Sequence, residues 1–299
     1  MDEKHIRLSY RKKVFAMKYA IGVVPGGDVD IHALAGFAHL AEETGWDGFF
    51  IEDYITHWMA PDAPTLDPWI SLAAIASQTK TIRIGAMVTP LSRRRPWKVA
   101  REAATLDHLC RGRLILGVGL GGPQDPMNFD RFGEVVDTHH RAEMLDEALE
   151  IINGLWSGEW FSFQGKHYQV GEVRFQPVPL QKPRIPIWVG GGYPNPGPLR
   201  RAARWDGSCM YKESHGHGWQ DMQAEDIRQL RAFVQSHHPV YSTFDICVGG
   251  RARLPDWEQD RQHIRSVAEA GATWWMDFIE PTALEKTRQG ILNGPLRID

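Results

Sequence analysis

Residues 81–122 read TIRIGAMVTPLSRRRPWKVAREAATLDHLCRGRLILGVGLGG, and this stretch decides how the rest of the chain is read. Ile82, Ile84, Met87 and Val88 form a short apolar run of the kind a buried parallel strand shows. Pro90 ends it, and Pro96 stands where a helix begins at no loss of a helical hydrogen bond. Val99, Ala103, Leu106, Leu109 and Cys110 then recur at helical spacing until Gly112. Leu114, Ile115, Leu116 and Val118 make a second strand that runs directly into glycines. The unit is strand, helix, parallel strand.

The same rhythm extends in both directions. Residues 1–13 read as a polar tail, and 17–24 as a first strand closed by Pro25-Gly26-Gly27. Asp28 or Asp30 can cap the helix that follows, and Gly45 ends it. Residues 48–51 are a second strand, and a helix around 69–78 precedes the opening unit. Downstream, Asp137 or Thr138 caps a helix over 141–156. Residues 160–183 break the pattern with short aromatic and β-branched segments around Gly165 and Gly171, the mark of a hairpin-rich insertion. Strands at 185–189, 207–211, 244–248 and 272–279 then alternate with helices at 199–205, 224–234, 256–270 and 284–291. About eight strands alternating with helices imply an α/β fold with a parallel sheet. Over this length they favour a closed (β/α)8 TIM barrel, one domain over 14–299 with an insertion at about 157–184 after the fourth helix.

Composition limits what such a barrel does. The chain has 299 residues, 42% hydrophobic and 24% charged, with a net charge of -3. That balance gives no reason to expect nucleic acid or an anionic membrane as a partner. Cys110, Cys209 and Cys247 are far apart and form no CxxC, which points to free thiols in a reducing compartment. The basic start followed by apolar residues 14–24 has the outline of a signal peptide. Lys18 interrupts the run and no small-residue cleavage site follows, so a cytoplasmic protein is expected.

In a barrel of this type chemistry sits at the C-terminal ends of the strands. Gly117-Val118-Gly119-Leu120-Gly121-Gly122 matches G-x-G-x-x-G, but Pro123 and Pro126 follow where a dinucleotide fingerprint needs a helix. These glycines are read instead as letting a flat ring approach the backbone. Gly190-Gly191-Gly192 and the helix after it, with Arg200 and Arg201, are a candidate phosphate site. Arg93-Arg94-Arg95 is either a solvated basic face or the seat of an anionic tail. Carboxylates stand near three strand ends: Glu52 and Asp53, Glu213, and Asp277 with Glu280. Paired carboxylates would also suit a glycosidase, and Asp277 could equally be a buried ion pair. His57, His139-His140, His215 and His217 show no metal-ligand spacing, so no metal is expected and a single His as proton donor is the better reading.

Four segments together resemble the luciferase-like monooxygenase superfamily of flavin and deazaflavin enzymes. They are Asp67-Pro68-Trp69 through Thr79; residues 82–119 with Leu106-Asp107 and Gly112-Arg113-Leu114; Phe132-Gly133-Glu134 through Arg141, Glu147 and His167-Tyr168; and Ile187-Trp188-Val189-Gly190-Gly191 with Arg201 and Asp206-Gly207. The match covers roughly 17–211, and the remainder fits by pattern.

The resemblance implies a barrel that binds reduced FMN or the deazaflavin F420 at its mouth. It implies a non-prolyl cis peptide near Ala86, Met87 or Val88, behind the ring. Cofactor contacts are then expected from Ala86, Met87, Val88, Thr89, Arg93, Gly119, Leu120, Gly121, Gly190, Gly191, Gly192 and Tyr193, and catalytic groups from Asp53, Tyr54, His215, His217 and Glu280. Many deazaflavin-using relatives carry Asp-His where this chain has Asp53-Tyr54. That departure weakens the F420 reading in which that His handles the proton, and Tyr54 could hydrogen-bond a flavin or substrate instead. The expected activity is oxidation of a small organic substrate by reduced FMN and O2, with a flavin reductase or a nicotinamide reductant supplying the reduced cofactor. F420-dependent hydride transfer on the same barrel is the alternative, and a non-catalytic flavin-binding protein is another. The family also implies a homodimer.

Overall fold

The structure is a computed structural model that describes residues 17–57, 62–122, 128–213, 219–237, 244–279 and 284–298. The chain runs β1 (Lys18–Val23), α1 (Ile31–Glu43), β2 (Gly48–Ile51), α2 (Pro68–Gln78), β3 (Arg83–Ala86), β4 (Thr89–Pro90), α3 (Pro96–Leu109) and β5 (Leu116–Gly119). It continues with α4 (Thr138–Trp156), β6 (Trp160–Gln164), β7 (Gln169–Arg174), β8 (Ile187–Tyr193), α5 (Pro196–Ala202), β9 (Gly207–Glu213), β10 (Trp219–Gln220) and α6 (Ala224–His237). Last come β11 (Asp245–Arg251), α7 (Trp257–Ala270), β12 (Trp274–Phe278) and α8 (Leu284–Leu292).

The main sheet has the order β3-β2-β1-β12-β11-β9-β8-β5-β4, its neighbours parallel throughout. It closes on itself where Ile84 donates to the carbonyl of Arg113 and accepts from Ile115 N, at 3.2 and 2.9 Å. β4 is the continuation of β3. Before the interruption the third strand bonds to β2, with Met87 N on the carbonyl of Ile51, and after it Thr89 pairs with Val118 of β5. The interruption carries the cis peptide Met87–Val88 at the expected place. β6 and β7 form the expected hairpin, apart from the barrel sheet.

Local signals explain the boundaries. Asp30, Asp67 and Asp137 each accept a first-turn backbone N–H, so these three caps start α1, α2 and α4. Gly271 stops α7 at φ +116, a conformation that disfavours a side chain. β2 is GFFI and wholly buried, because helices cover one face of a parallel strand and the barrel interior the other.

Two cores follow. The outer one joins sheet and helices. The inner one consists of Ala20, Phe50, Ile115, Trp188, Cys247 and Trp274, with Met87, Cys209 and Met276 packed above it. Phe50, Trp188 and Trp274 meet at centroid distances of 5.3–6.0 Å, tilted or edge-on, and so plug the lower barrel. The resemblance motifs prove to be scaffolding. Buried Arg113 donates to the carbonyls of Ala76, Thr79, Ile82 and Cys110 and to Thr79 Oγ1, tying α2 to β3. Asp107 holds the backbone of Leu180 and Gln181, and Glu147 the backbone of residues 166–168 at the hairpin turn.

Candidate active site at the barrel mouth

Above the aromatic plug lies a cavity of about 430 Å³ at the C-terminal ends of the strands. That is within the roughly 300–1,000 Å³ of small-molecule sites. Its floor is soft and apolar: Phe50, Met87, Cys209, Cys247 and Met276. Cys209 and Cys247 are directly opposite each other on neighbouring strands. Burial pushes the Cys209 thiol up to about 12 and raises Cys247 as well, so both stay neutral. The walls are glycine-rich, with Gly22, Gly190, Gly191, Gly249 and Gly250. A Cβ at Gly22 or Gly250 would lie 3.2 or 3.5 Å from the tip of Met276. Polar groups gather at one corner, where Glu52, Tyr54 and His57 follow β2, and at Tyr211 and Arg251 across from it.

Several expected residues take other parts. Asp53 does not face the cavity. Its carboxylate is fully buried 2.9 Å from both Arg93 and Arg94, and Arg93 also donates to its backbone carbonyl. In extended chain successive side chains alternate, so placing Asp53 outward turns Glu52 and Tyr54 inward. Arg93 is thereby paired with Asp53 through Nη2, and its Nη1 is buried without a hydrogen-bond partner. Gly119 and Gly121 do not open space for a ring. A Cβ at Gly119 would meet Val88 Cγ2 at 2.6 Å, and one at Gly121 the Phe129 ring at 2.5 Å. Gly190 likewise faces Val88, at 2.8 Å. Gly119 and Gly190 make room for Val88, and so for the break in the third strand that brings Met87 and Val88 to the cavity.

The second glycine cluster is strand, not turn: Gly190, Gly191 and Gly192 pair in register with Cys209, Met210 and Tyr211. Pro196 and Pro198 remove two N–H groups from the start of α5, and Gly191 packs on Pro198. Arg200 and Arg201 stand in its last turn, with Arg201 bonded to Asp146. The phosphate site expected there is left with few free amides, and its arginines stand at the far end of the helix.

Among the remaining candidates, Met87, Val88, Gly190, Gly191 and Tyr54 line the cavity. Ala86, Thr89 and Tyr193 are buried in the wall, the Tyr193 hydroxyl donating to Gln229, and the Leu120 carbonyl accepts from Arg141. His215, His217 and Glu280 lie outside the described residues. Asp277 is a buried ion pair with Arg253 at 2.7 Å. Glu52 is therefore the one carboxylate lining the cavity among the described residues, which form no glycosidase pair there. No cluster of three metal-ligating side chains occurs among those residues either.

Glu52 is the group that adjacency concealed. Half-buried, it bonds to Tyr54, and burial pushes its carboxyl up to about 7 against that bond's lowering effect. Gly249 and Gly250, at φ +96 and +93, were also missed. Their signal was a glycine pair just beyond a strand expected to end at Val248.

The family model for luciferase-like monooxygenases matches residues 14–254. The chain belongs to this family. An F420-dependent glucose-6-phosphate dehydrogenase of Microbacterium testaceum is 37% identical to this family member over 165 residues, 54% of this chain and 47% of that protein. An F420-dependent hydroxymycolic acid dehydrogenase of Mycobacterium tuberculosis is 32% identical over 205 residues, 67% of this chain and 52% of that protein. The matches thus span about half the length of these relatives. Among solved structures, an F420-dependent secondary alcohol dehydrogenase superposes with a TM-score of 0.77 at 15% identity, covering 95% of this chain and 99% of the other. At that identity the likeness speaks for the shared barrel alone. A flat heteroaromatic cofactor fits the cavity of this luciferase-like protein: soft uncharged floor, glycine walls and a polar corner.

Proposed function

We propose that this protein is an F420-dependent oxidoreductase that moves a hydride between the deazaflavin and an uncharged alcohol or carbonyl compound. The reduced-FMN reading expected from the sequence gives way here, because the related dehydrogenases described above are F420-dependent by name. When bound, F420 supplies a ring carbon that accepts or donates a hydride. Met87, Val88, Gly190 and Gly191 would hold one side of the ring and Gly249 and Gly250 another, while the aromatic plug keeps water out from below.

The observation that carries the substrate class is the state of the cations. Arg251, which lines the cavity, is bound by Asp221 at 2.6 Å and Asp260 at 2.7 Å. Lys212 on the neighbouring strand is held by both oxygens of Asp226 at 3.0 Å. Arg93 and Arg94 are held by Asp53. Among the described residues that line the cavity, a phosphate ester would meet the Glu52 carboxylate and no cation without a carboxylate partner. This separates the proposed substrate from that of the glucose-6-phosphate dehydrogenases.

Titration of the protein with F420 and FMN, each oxidised and reduced, tests the cofactor. F420 is expected to bind at least tenfold more tightly. Tighter FMN binding restores the monooxygenase reading, and binding of neither removes both. A panel of secondary alcohols, aldehydes and sugar phosphates with F420 then tests the substrate. Turnover of the uncharged compounds is expected, and a sugar phosphate as best substrate overturns that part.

A further inference from the structure

The corner that presents Glu52 is built rigidly. Glu52 N donates to the carbonyl of Val23 on β1 at 3.0 Å. Asp53 is clamped by Arg93 and Arg94. Ile55 N and Thr56 N both donate to the fully buried Asn128 side chain, at 2.5 and 3.0 Å, and its amide donates back to the Thr56 carbonyl. Three anchors therefore fix a five-residue segment so that Glu52 and Tyr54 share the cavity side. Such preorganisation is what a proton-transferring group needs.

The surroundings of Glu52 contain no free positive charge among the described residues. On its own segment it faces Tyr54, with His57 beyond, the two rings 6.1 Å apart. The other titratable or charged groups on the cavity wall are Tyr211 and Cys209 from β9 and Cys247 and Arg251 from β11. Both thiols are neutral, and Arg251 already has two carboxylates. A carboxyl in such a place changes charge near neutral pH, where it can both accept and return a proton.

We propose that Glu52, bonded to Tyr54 on the cavity wall, takes up the hydroxyl proton of the alcohol during oxidation and returns it during reduction. In the oxidative direction the C–H bond breaks and its electron pair leaves as hydride to the deazaflavin. The O–H bond breaks, its proton passes to the Glu52 carboxylate, and the carbon–oxygen double bond forms. The alcohol loses two electrons and F420 gains them. Tyr54 is a positioning residue that holds the carboxylate toward the cavity. The proposal rests on the hydride-transfer reading and gives a carboxylate the task for which relatives carry His after the Asp.

The test uses the full chain as wild type, Glu52→Gln, Glu52→Asp and Tyr54→Phe. An isotope-edited infrared titration of the cofactor-free protein is expected to show one carboxyl with a midpoint near neutrality, absent in Glu52→Gln and shifted upward in Tyr54→Phe. With F420 bound and the best alcohol of the panel, single-turnover hydride transfer is expected to fall about 10²–10⁴-fold in Glu52→Gln, the usual range for a lost general base. F420 affinity should stay within about threefold, in keeping with a group whose part is played in proton transfer. Glu52→Asp should recover part of the rate, and the low-pH limb of the wild-type profile should vanish in Glu52→Gln. If F420 binds and Glu52→Gln keeps the wild-type rate and pH profile, the proposal falls while the hydride-transfer reading stands. A carboxyl that titrates in the ordinary carboxylate range also overturns it. Failure of the wild type to bind F420 instead removes the hydride-transfer reading, and the role of Glu52 with it.

Discussion

Glu42 and Glu52 bracket β2, one below the barrel and one above it, and the fold treats them in opposite ways. Glu42, at the end of α1, accepts backbone N–H groups from Lys80, Thr81 and Ile82 and the Thr81 hydroxyl. Burial alone would raise it, but those bonds bring its carboxyl down to about 2. Glu52 is more deeply buried, has one tyrosine as partner and ends at about 7. The difference lies in depth of burial and in how many donors face each carboxylate. At the N-terminal face a saturated carboxylate joins helix to strand, and at the C-terminal face an undersupplied one borders a cavity. Stability and chemistry are thus assigned to opposite ends of the same strands.

The partition between the two ends is the most sensitive point. Trp188 is fully buried between Phe50 and Trp274, and Trp188→Ala should cost about 3–5 kcal/mol by denaturant unfolding. A loss below about 1 kcal/mol would mean that the plug does not divide the barrel as described. Asp53→Asn comes next. It leaves Arg93, whose side chain is 2% exposed, with a weaker partner, and about 2–3 kcal/mol should be lost. The Glu52 carboxyl should change little as long as the chain folds. Gly190→Ala is smaller still, about 1–3 kcal/mol, because its Cβ would press on Val88 from 2.8 Å. Val88 lines the cavity, so the loss of F420 affinity should exceed what the stability change alone explains. Unchanged affinity would remove Val88 from the cofactor wall.

How far the sequence foretold these regions follows from what each residue depends on. Strand positions, the Asp30 and Asp137 caps and the Gly271 stop depend on nearby residues, and local pattern reveals them. The resemblance segments are equally legible, and Arg113, Asp107 and Glu147 in them hold connections of the scaffold, so they say little about substrate. Glu52 and Asp53 are harder. Both are acidic and adjacent, and which one faces inward depends on Arg93 and Arg94, about forty residues away. Gly119 and Gly121 misled for a related reason: a glycine announces that something approaches, without saying whether it is ligand or, as here, Val88 and Phe129.

The smallest effect gives the most direct contrast between the two glutamates, because its sign differs. Glu42 has a folded-state carboxyl below the usual 4.5, so its ionised form stabilises the fold. That contribution is complete above about pH 4.5 and is lost as pH falls toward about 2. Glu42→Gln should therefore cost about 1–2 kcal/mol at pH 7, a figure reduced from the full shift because solvent reaches the group. The cost should shrink toward zero near pH 2. Glu52 has a folded-state carboxyl above 4.5, so the folded chain holds its proton longer than the unfolded one. Its contribution is fully present below about pH 4.5 and disappears as pH rises through about 7. Glu52→Gln cannot ionise, and at pH 8 it should be more stable than wild type by about 1–2 kcal/mol, with no such gain at pH 4.5. Urea unfolding of both variants at pH 4.5, 7 and 8 measures the pair. Stability changes of the same sign at pH 8 would show that the two ends of β2 do not treat their carboxylates differently, and would leave Glu52 an ordinary surface acid.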